Sequence, residues 1–102
     1  MIYRLKLMFE WRGGTLWSDN EAARARFGIG SIEELLGLDP ALLERLEELS
    51  VWHDTALDWD DPGGPSPWSD EELERFYQAA GAVREEVARA LGPDFEVTYP
   101  RF

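Results

Sequence analysis

The sequence predicts a single α+β domain over residues 1–102, with N- and C-terminal strands paired in one small sheet. Two observations support this prediction. Residues 2–11 and 95–99 alternate apolar and polar side chains, the period of a strand with one buried face. The residues between them carry four helix starts. Because a two-stranded sheet is marginal alone, we expect about four helices to cover its apolar face. We expect antiparallel pairing, the commoner arrangement.

The four helix starts are recognised by their capping residues. Three of them place Ser three positions before Glu, the spacing of a capping box. These begin at Ser18, Ser31 and Ser69. The fourth is Asp39-Pro40, with Asp as the N-cap and Pro in the first turn. Glycines that can end helices in the left-handed conformation follow at positions 28, 37 and 92.

The two later helices are predicted to be the principal ones. The helix from Pro40 carries apolar residues at helical spacing and should end between Trp52 and Leu57. A loop with three of the six prolines follows. The last helix, about residues 70–91, is predicted to be the longest, and the second strand follows it.

The negative charge is concentrated in one part of the chain. Residues 46–74, which we call the acidic segment, contain ten of the 21 Asp and Glu residues and no Lys or Arg, in a chain of net charge −11. Three of the five Trp residues also lie there. Such a surface repels nucleic acid and anionic lipid, which bind clustered Lys and Arg. We therefore expect a basic protein as partner, with no nucleic acid and no membrane.

Several other classes are disfavoured by composition. The chain has no Cys, so disulfides and thiolate metal sites are excluded. Residues 1–7 alternate instead of forming the apolar core of a signal peptide, and we expect a cytoplasmic protein. The glycines form no phosphate-binding motif, and we expect no cofactor.

Four aspartates around the end of the second long helix offer hard oxygen ligands of the kind that Ca²⁺ or Mg²⁺ binds. They are Asp54, Asp58, Asp60 and Asp61. The run from Asp58 resembles the start of a calcium loop, but Pro62 interrupts it and Ser69 stands where the twelfth-position Glu is needed. His53 precedes Asp54, but no nucleophile motif accompanies it. We therefore predict no metal site and no catalytic residue.

The tryptophans of the acidic segment allow two interpretations. Trp52 falls on the apolar face of its helix and should belong to the core. Trp59 and Trp68 flank the Pro/Gly loop. They either pin this loop to the body of the protein or are exposed anchors for a partner, since Trp is enriched in interface hot spots.

Two motifs carry a resemblance to a known family. The first is Leu16-Trp17-Ser18 followed by Phe27-Gly28, and the second runs from Trp52-His53-Asp54-Thr55 through Leu57 and Trp59 to Pro62. With them the chain resembles a family of small, acidic, uncharacterised bacterial proteins along nearly its whole length. The resemblance implies no specific activity. By analogy of size and charge, such proteins are often immunity proteins or antitoxins.

The function that we predict is binding. The protein is expected to be an acidic module of the immunity or antitoxin type that neutralises a basic toxin, such as a nuclease. The expected contact residues are Asp54, Asp58, Trp59, Asp60, Asp61 and Trp68. One alternative is a small enzyme or metal-dependent domain that uses the same four aspartates with His53. A further alternative is a structural module that forms homo-oligomers through an exposed strand edge.

Overall fold

The first and last strands pair in one sheet, as the sequence predicts. The structure is a computed structural model that describes residues 1–100. The fold is α+β, with a three-stranded sheet, three α-helices and one 3-10 turn. In chain order the elements are β1 (Tyr3–Leu7), β2 (Leu16–Ser18), α1 (Glu21–Phe27), the 3-10 turn (Glu33–Leu35), α2 (Pro40–Asp54), α3 (Asp70–Leu91) and β3 (Phe95–Thr98).

The sheet order is β2-β1-β3, and β1 pairs with β3 in parallel, with Leu5 opposite Val97. The expected antiparallel pairing of the terminal strands is therefore wrong. Parallel strands need a long crossover connection, and here all the helices lie between β1 and β3. The unpredicted strand β2 pairs antiparallel with the other side of β1. It has three residues, too few for the alternation by which a strand is recognised.

Two of the predicted helix starts are displaced. Ser18 belongs to β2 and donates its hydroxyl to the Gly28 carbonyl, while Asn20 caps α1 by accepting from the Ala23 N–H. Ser31 forms a bridge with Trp17 at the edge of the sheet, and only a 3-10 turn follows it. In both places the Ser is held by sheet or loop contacts, so a capping box by itself did not fix the helix start.

The starts of the two long helices are confirmed. Asp39 accepts from the Ala41 N–H at 2.8 Å and Ser69 from the Glu72 N–H at 3.1 Å, each at the beginning of its helix. The helix α2 ends at Asp54, within the predicted interval, and α3 is the longest element. Gly28 and Gly92 end α1 and α3 with positive φ, as expected.

The core lies between the sheet and the two long helices. The sheet contributes Leu5, Leu7 and Val97, and α2 contributes Leu42, Leu46 and Leu49. The face of α3 that packs between them consists of Phe76, Ala80, Val83 and Val87. This packing fixes the end of α2 beside the start of α3 and next to the chain that leaves β1. Within residues 1–100, no helix combines the length and apolarity that a membrane span requires.

Candidate functional site

The acidic segment meets the residues that follow β1 at one end of the protein. The contact is made by the Arg12 backbone N–H, which donates to Asp54 Oδ1 at 2.8 Å. Arg12 has φ of +54°, a left-handed conformation that is unusual for a residue with a side chain. Asp54 is thus the last residue of α2 and also the acceptor that holds this turn.

The aspartates after α2 differ in what they do. Asp58 Oδ1 accepts from the backbone N–H groups of Asp60, at 3.0 Å, and Asp61, at 3.3 Å, as in an Asx turn. The turn leaves Asp60 and Asp61 exposed. Asp54 and Asp58 therefore shape the local backbone, while Asp60 and Asp61 present negative charge to solvent.

Trp59 is 43% exposed and lies beside these carboxylates. Its indole N–H donates to the Asp54 carbonyl at 2.9 Å, and Trp11 meets it edge to face with ring centroids 6.4 Å apart. The Arg12 guanidinium carbon lies 4.2 Å from its ring centroid, a cation–π contact. One face of Trp59 is thus already engaged by a cation of this chain.

Trp68 faces inward and holds the loop to the helices. Its indole N–H donates to Thr55 Oγ1 at 2.8 Å, and its ring packs against Trp52 and Phe76 with centroids 6.0 and 5.1 Å away. Among the residues described, this geometry favours the interpretation in which Trp68 pins the loop to the body of the protein. Trp52 packs against the core as predicted.

His53 belongs to the same aromatic group. Its ring stacks on Trp11 at 4.3 Å and lies 5.6 Å from Phe9. Burial lowers the pKa of the imidazole below its usual 6.5, and the neighbouring Asp54 carboxylate opposes this by favouring the charged form. Nδ1 is buried and has no hydrogen-bond partner within residues 1–100. The ring therefore acts as a neutral aromatic surface.

A cleft of about 610 Å³ opens next to this group. The end of α2, the following loop and the start of α3 form one side, and the residues after β1 and β3 form the other. Its aromatic lining consists of Phe9, Trp11, His53, Trp68, Phe76, Tyr77 and Tyr99. Two carboxylates, Asp58 and Asp70, also line it, and no Lys or Arg does so in the described part of the chain.

Comparison with known proteins identifies the family of this chain. The sequence profile of the Serratia CdiI immunity protein-like family matches residues 3–101. The chain belongs to this family. No curated protein is similar enough in sequence to match it. The family supports the expected likeness to immunity proteins and implies a toxin as the protein partner.

In this member of the immunity-protein family, the sequence predicted part of the candidate site. It predicted the acidic loop and its tryptophans, which the structure places at one end of the protein. It missed Arg12, Trp11 and Phe9, which approach the loop from the chain after β1. Phe9 and Trp11 fall within residues 2–11, for which the sequence predicts one strand, but β1 ends at Leu7. Their proximity to His53 arises from the tertiary fold, and no local sequence pattern indicates it.

The four aspartates do not gather into a metal centre. Within residues 1–100, no group of three or more His, Cys, Asp or Glu side chains is placed to hold a metal ion. The backbone N–H groups bound by Asp54 and Asp58 explain their orientation. In the acidic loop, these hydrogen bonds thus set the backbone shape, and the charges of Asp60 and Asp61 face solvent.

Proposed function

We propose that the protein is an immunity protein that binds and neutralises a basic toxin of contact-dependent inhibition, such as a nuclease. The observation that carries this proposal is the turn that exposes Asp60 and Asp61 beside the partly exposed ring of Trp59, in a chain of an immunity-protein family. An acidic surface with an aromatic residue at its edge fits a cationic partner by charge and by contact area.

Long-range attraction explains why the charge is concentrated. A nuclease binds phosphate and therefore carries Lys and Arg around its active site. An inhibitor with a dense negative patch is steered toward that region, so the association rate rises at low ionic strength. The same patch then covers the substrate-binding surface of the toxin.

The six proposed contact residues have different parts in this interface. Asp60 and Asp61 attract the toxin, with Asp58 adding charge to the turn that it organises. Trp59 supplies contact area at the edge. Asp54 and Trp68 hold the backbone and the loop in place, so they affect binding by positioning the other contact residues.

The test identifies the toxin by pull-down from the native lysate and then measures its association with the purified protein at several NaCl concentrations. We expect the triple change of Asp58→Asn, Asp60→Asn and Asp61→Asn to reduce the association rate about tenfold or more at low salt. The amide at position 58 can still accept the turn hydrogen bonds, so the melting temperature should not fall below that of the wild type. The wild-type rate should fall steeply toward 1 M NaCl, where the screening length is about 3 Å.

The matched control removes three exposed charges outside the acidic segment, by Glu21→Gln, Glu44→Gln and Asp94→Asn. It should leave the association rate within about twofold of the wild type if steering is local to the loop. Trp59→Ala should raise the dissociation rate instead. Association kinetics of the loop variant identical to those of the wild type would contradict this interface.

A further inference from the structure

Most residues that line the cleft described above are not among the six proposed contact residues. Trp11 and His53 form one stacked pair in its lining, and Trp68 and Phe76 pack against each other as a second pair. Leu73 adds an aliphatic side chain that is 38% exposed. Binding sites are typically concave, mostly apolar and equipped with a few placed polar groups. This cleft meets that description at the edge of the acidic segment.

The two carboxylates that line the cleft favour positive charge. Asp58 and Asp70 contribute carboxylates from two different elements, the loop and the first turn of α3. The ring of His53 adds no positive charge at neutral pH, since burial favours its neutral form. Both carboxylates are exposed, so an anionic occupant would be repelled by them, whereas a cation would pair with them.

We propose that this cleft binds an arginine side chain, presented on a short basic segment of the toxin. The guanidinium lies against the aromatic walls and pairs with Asp58 and Asp70, while its aliphatic stem covers Leu73. Because about 610 Å³ exceeds the volume of one side chain, the residues next to the arginine fill the remainder. This inference rests on the proposed function and specifies the chemistry of the partner.

Guanidinium groups already lie on aromatic rings of this chain. Arg12 lies over Trp59 at 4.2 Å, close to the cleft wall formed by Trp11, and Arg26 lies 4.8 Å from the ring centroid of Tyr3. The planar guanidinium stacks on such surfaces and can bind a carboxylate with two N–H groups. A lysine ammonium is a more strongly hydrated point charge, so it fits the aromatic walls less well.

The test uses peptides, so that it needs no toxin. The ¹⁵N-labelled protein is titrated with acetyl-Ala-Leu-Arg-Leu-amide and with the same peptide carrying citrulline, the neutral isostere of arginine. The indole N–H signals of Trp11 and Trp68 report on the cleft, and that of Trp17, which does not line it, is the internal control. We expect the arginine peptide to shift the two cleft signals and to bind at least about threefold more tightly than the citrulline peptide.

Variants then separate charge from packing. Asp70→Asn, alone and combined with Asp58→Asn, should weaken arginine-peptide binding about threefold or more and leave the weak citrulline binding unchanged. Asp39→Asn is the matched control, because Asp39 also lies at the start of a long helix but does not line the cleft. Its peptide affinity should equal that of the wild type.

Equal shifts with the arginine and citrulline peptides, or no shift of the Trp11 and Trp68 signals with either, would overturn the assignment of this cleft to arginine. The proposed function is tested separately by the toxin association rates. If the loop variant slows toxin association while the peptides fail to bind, the acidic surface stands and the cleft inference falls. If the peptides bind but toxin association is insensitive to the loop charges, the proposed function falls instead.

Discussion

The two tryptophans of the loop are held by different groups. Trp68 donates its indole N–H to Thr55 and packs between Trp52 and Phe76. Trp59 donates to a backbone carbonyl, meets Trp11 edge to face and is otherwise covered by the exposed side chain of Arg12. Because the energetic cost of losing a side chain depends on how much of it is buried, these two residues should contribute differently to stability.

Trp68→Ala should therefore lower the free energy of unfolding by about 2 kcal/mol or more, since it removes ring packing and leaves the Thr55 hydroxyl without its donor. Trp59→Ala should cost about 1 kcal/mol or less, the contribution of an exposed cation–π contact and one hydrogen bond. Urea unfolding followed by fluorescence or circular dichroism measures both. A larger loss for Trp59→Ala than for Trp68→Ala would mean that Trp59 is the residue that pins the loop.

His53 makes the stability depend on pH. Its folded-state pKa lies below the usual 6.5 because burial disfavours the charged ring. Well above pH 6.5 the ring is neutral in both the folded and the unfolded chain. As the pH falls below 6.5, the unfolded chain takes up the proton more readily, so the stability contributed by the neutral ring is lost until the lower folded-state pKa is passed.

The variant His53→Phe keeps an aromatic ring against Trp11 and cannot titrate. We expect the free energy of unfolding of the wild type, relative to this variant, to fall between about pH 7.5 and about pH 5.5. Chemical unfolding at several pH values measures the difference, in which the titration of the carboxylates common to both proteins cancels. A difference that stays constant over this range would show that the ring is equally protonated in both states.

At the scale of elements, α3 is the longest helix and contains a glycine in its interior. Gly81 is half-buried, and a Cβ built there has no atom within 4 Å apart from its neighbours. Glycine in a helix interior is less favourable than alanine by about 1 kcal/mol. Gly92 ends the same helix at φ of +85°, where a side chain is strained.

Gly81→Ala should therefore raise the free energy of unfolding by up to about 1 kcal/mol, and Gly92→Ala should lower it by about 1 kcal/mol. The two variants make the same chemical change in one helix, so each is the control for the other. Thermal and urea unfolding measure both. Destabilisation by Gly81→Ala would indicate that the half-buried position approaches a neighbour more closely than the open space around Gly81 implies.

The elements also show which features of the fold are encoded locally. The caps Asp39 and Ser69 and the apolar spacing of α2 are sequence patterns within a few turns, and each was predicted. The direction of β3 relative to β1 and the pairing of β2 depend on how the helices cross the sheet, which no local pattern contains. The same holds for the cleft and for the contact of Arg12 with Trp59. Formation of homo-oligomers through a strand edge stays a prediction, although the Val97 carbonyl of β3 already accepts from Arg84 at 3.0 Å.

At the scale of the whole molecule, the charge is separated along the chain. The acidic segment carries almost all of the net charge of −11, and its carboxylates repel one another at the end of α2 and the start of α3. Salt bridges between described residues lie mainly elsewhere, as between Arg4 and Glu96 or between Arg45 and Glu86. The concentration of like charge is therefore expected to lower the stability of the free protein.

This repulsion should be visible without any partner. Raising NaCl from about 0.01 M to about 0.15 M shortens the screening length from about 30 Å to about 8 Å, so the melting temperature of the wild type should rise. The rise should be smaller in the triple variant Asp58→Asn, Asp60→Asn and Asp61→Asn, because three of the interacting charges are gone. The control variant Glu21→Gln, Glu44→Gln and Asp94→Asn loses the same net charge from outside the segment and should keep more of the salt dependence. Equal salt dependence in the two variants would mean that net charge, and not its concentration in residues 46–74, sets the repulsion.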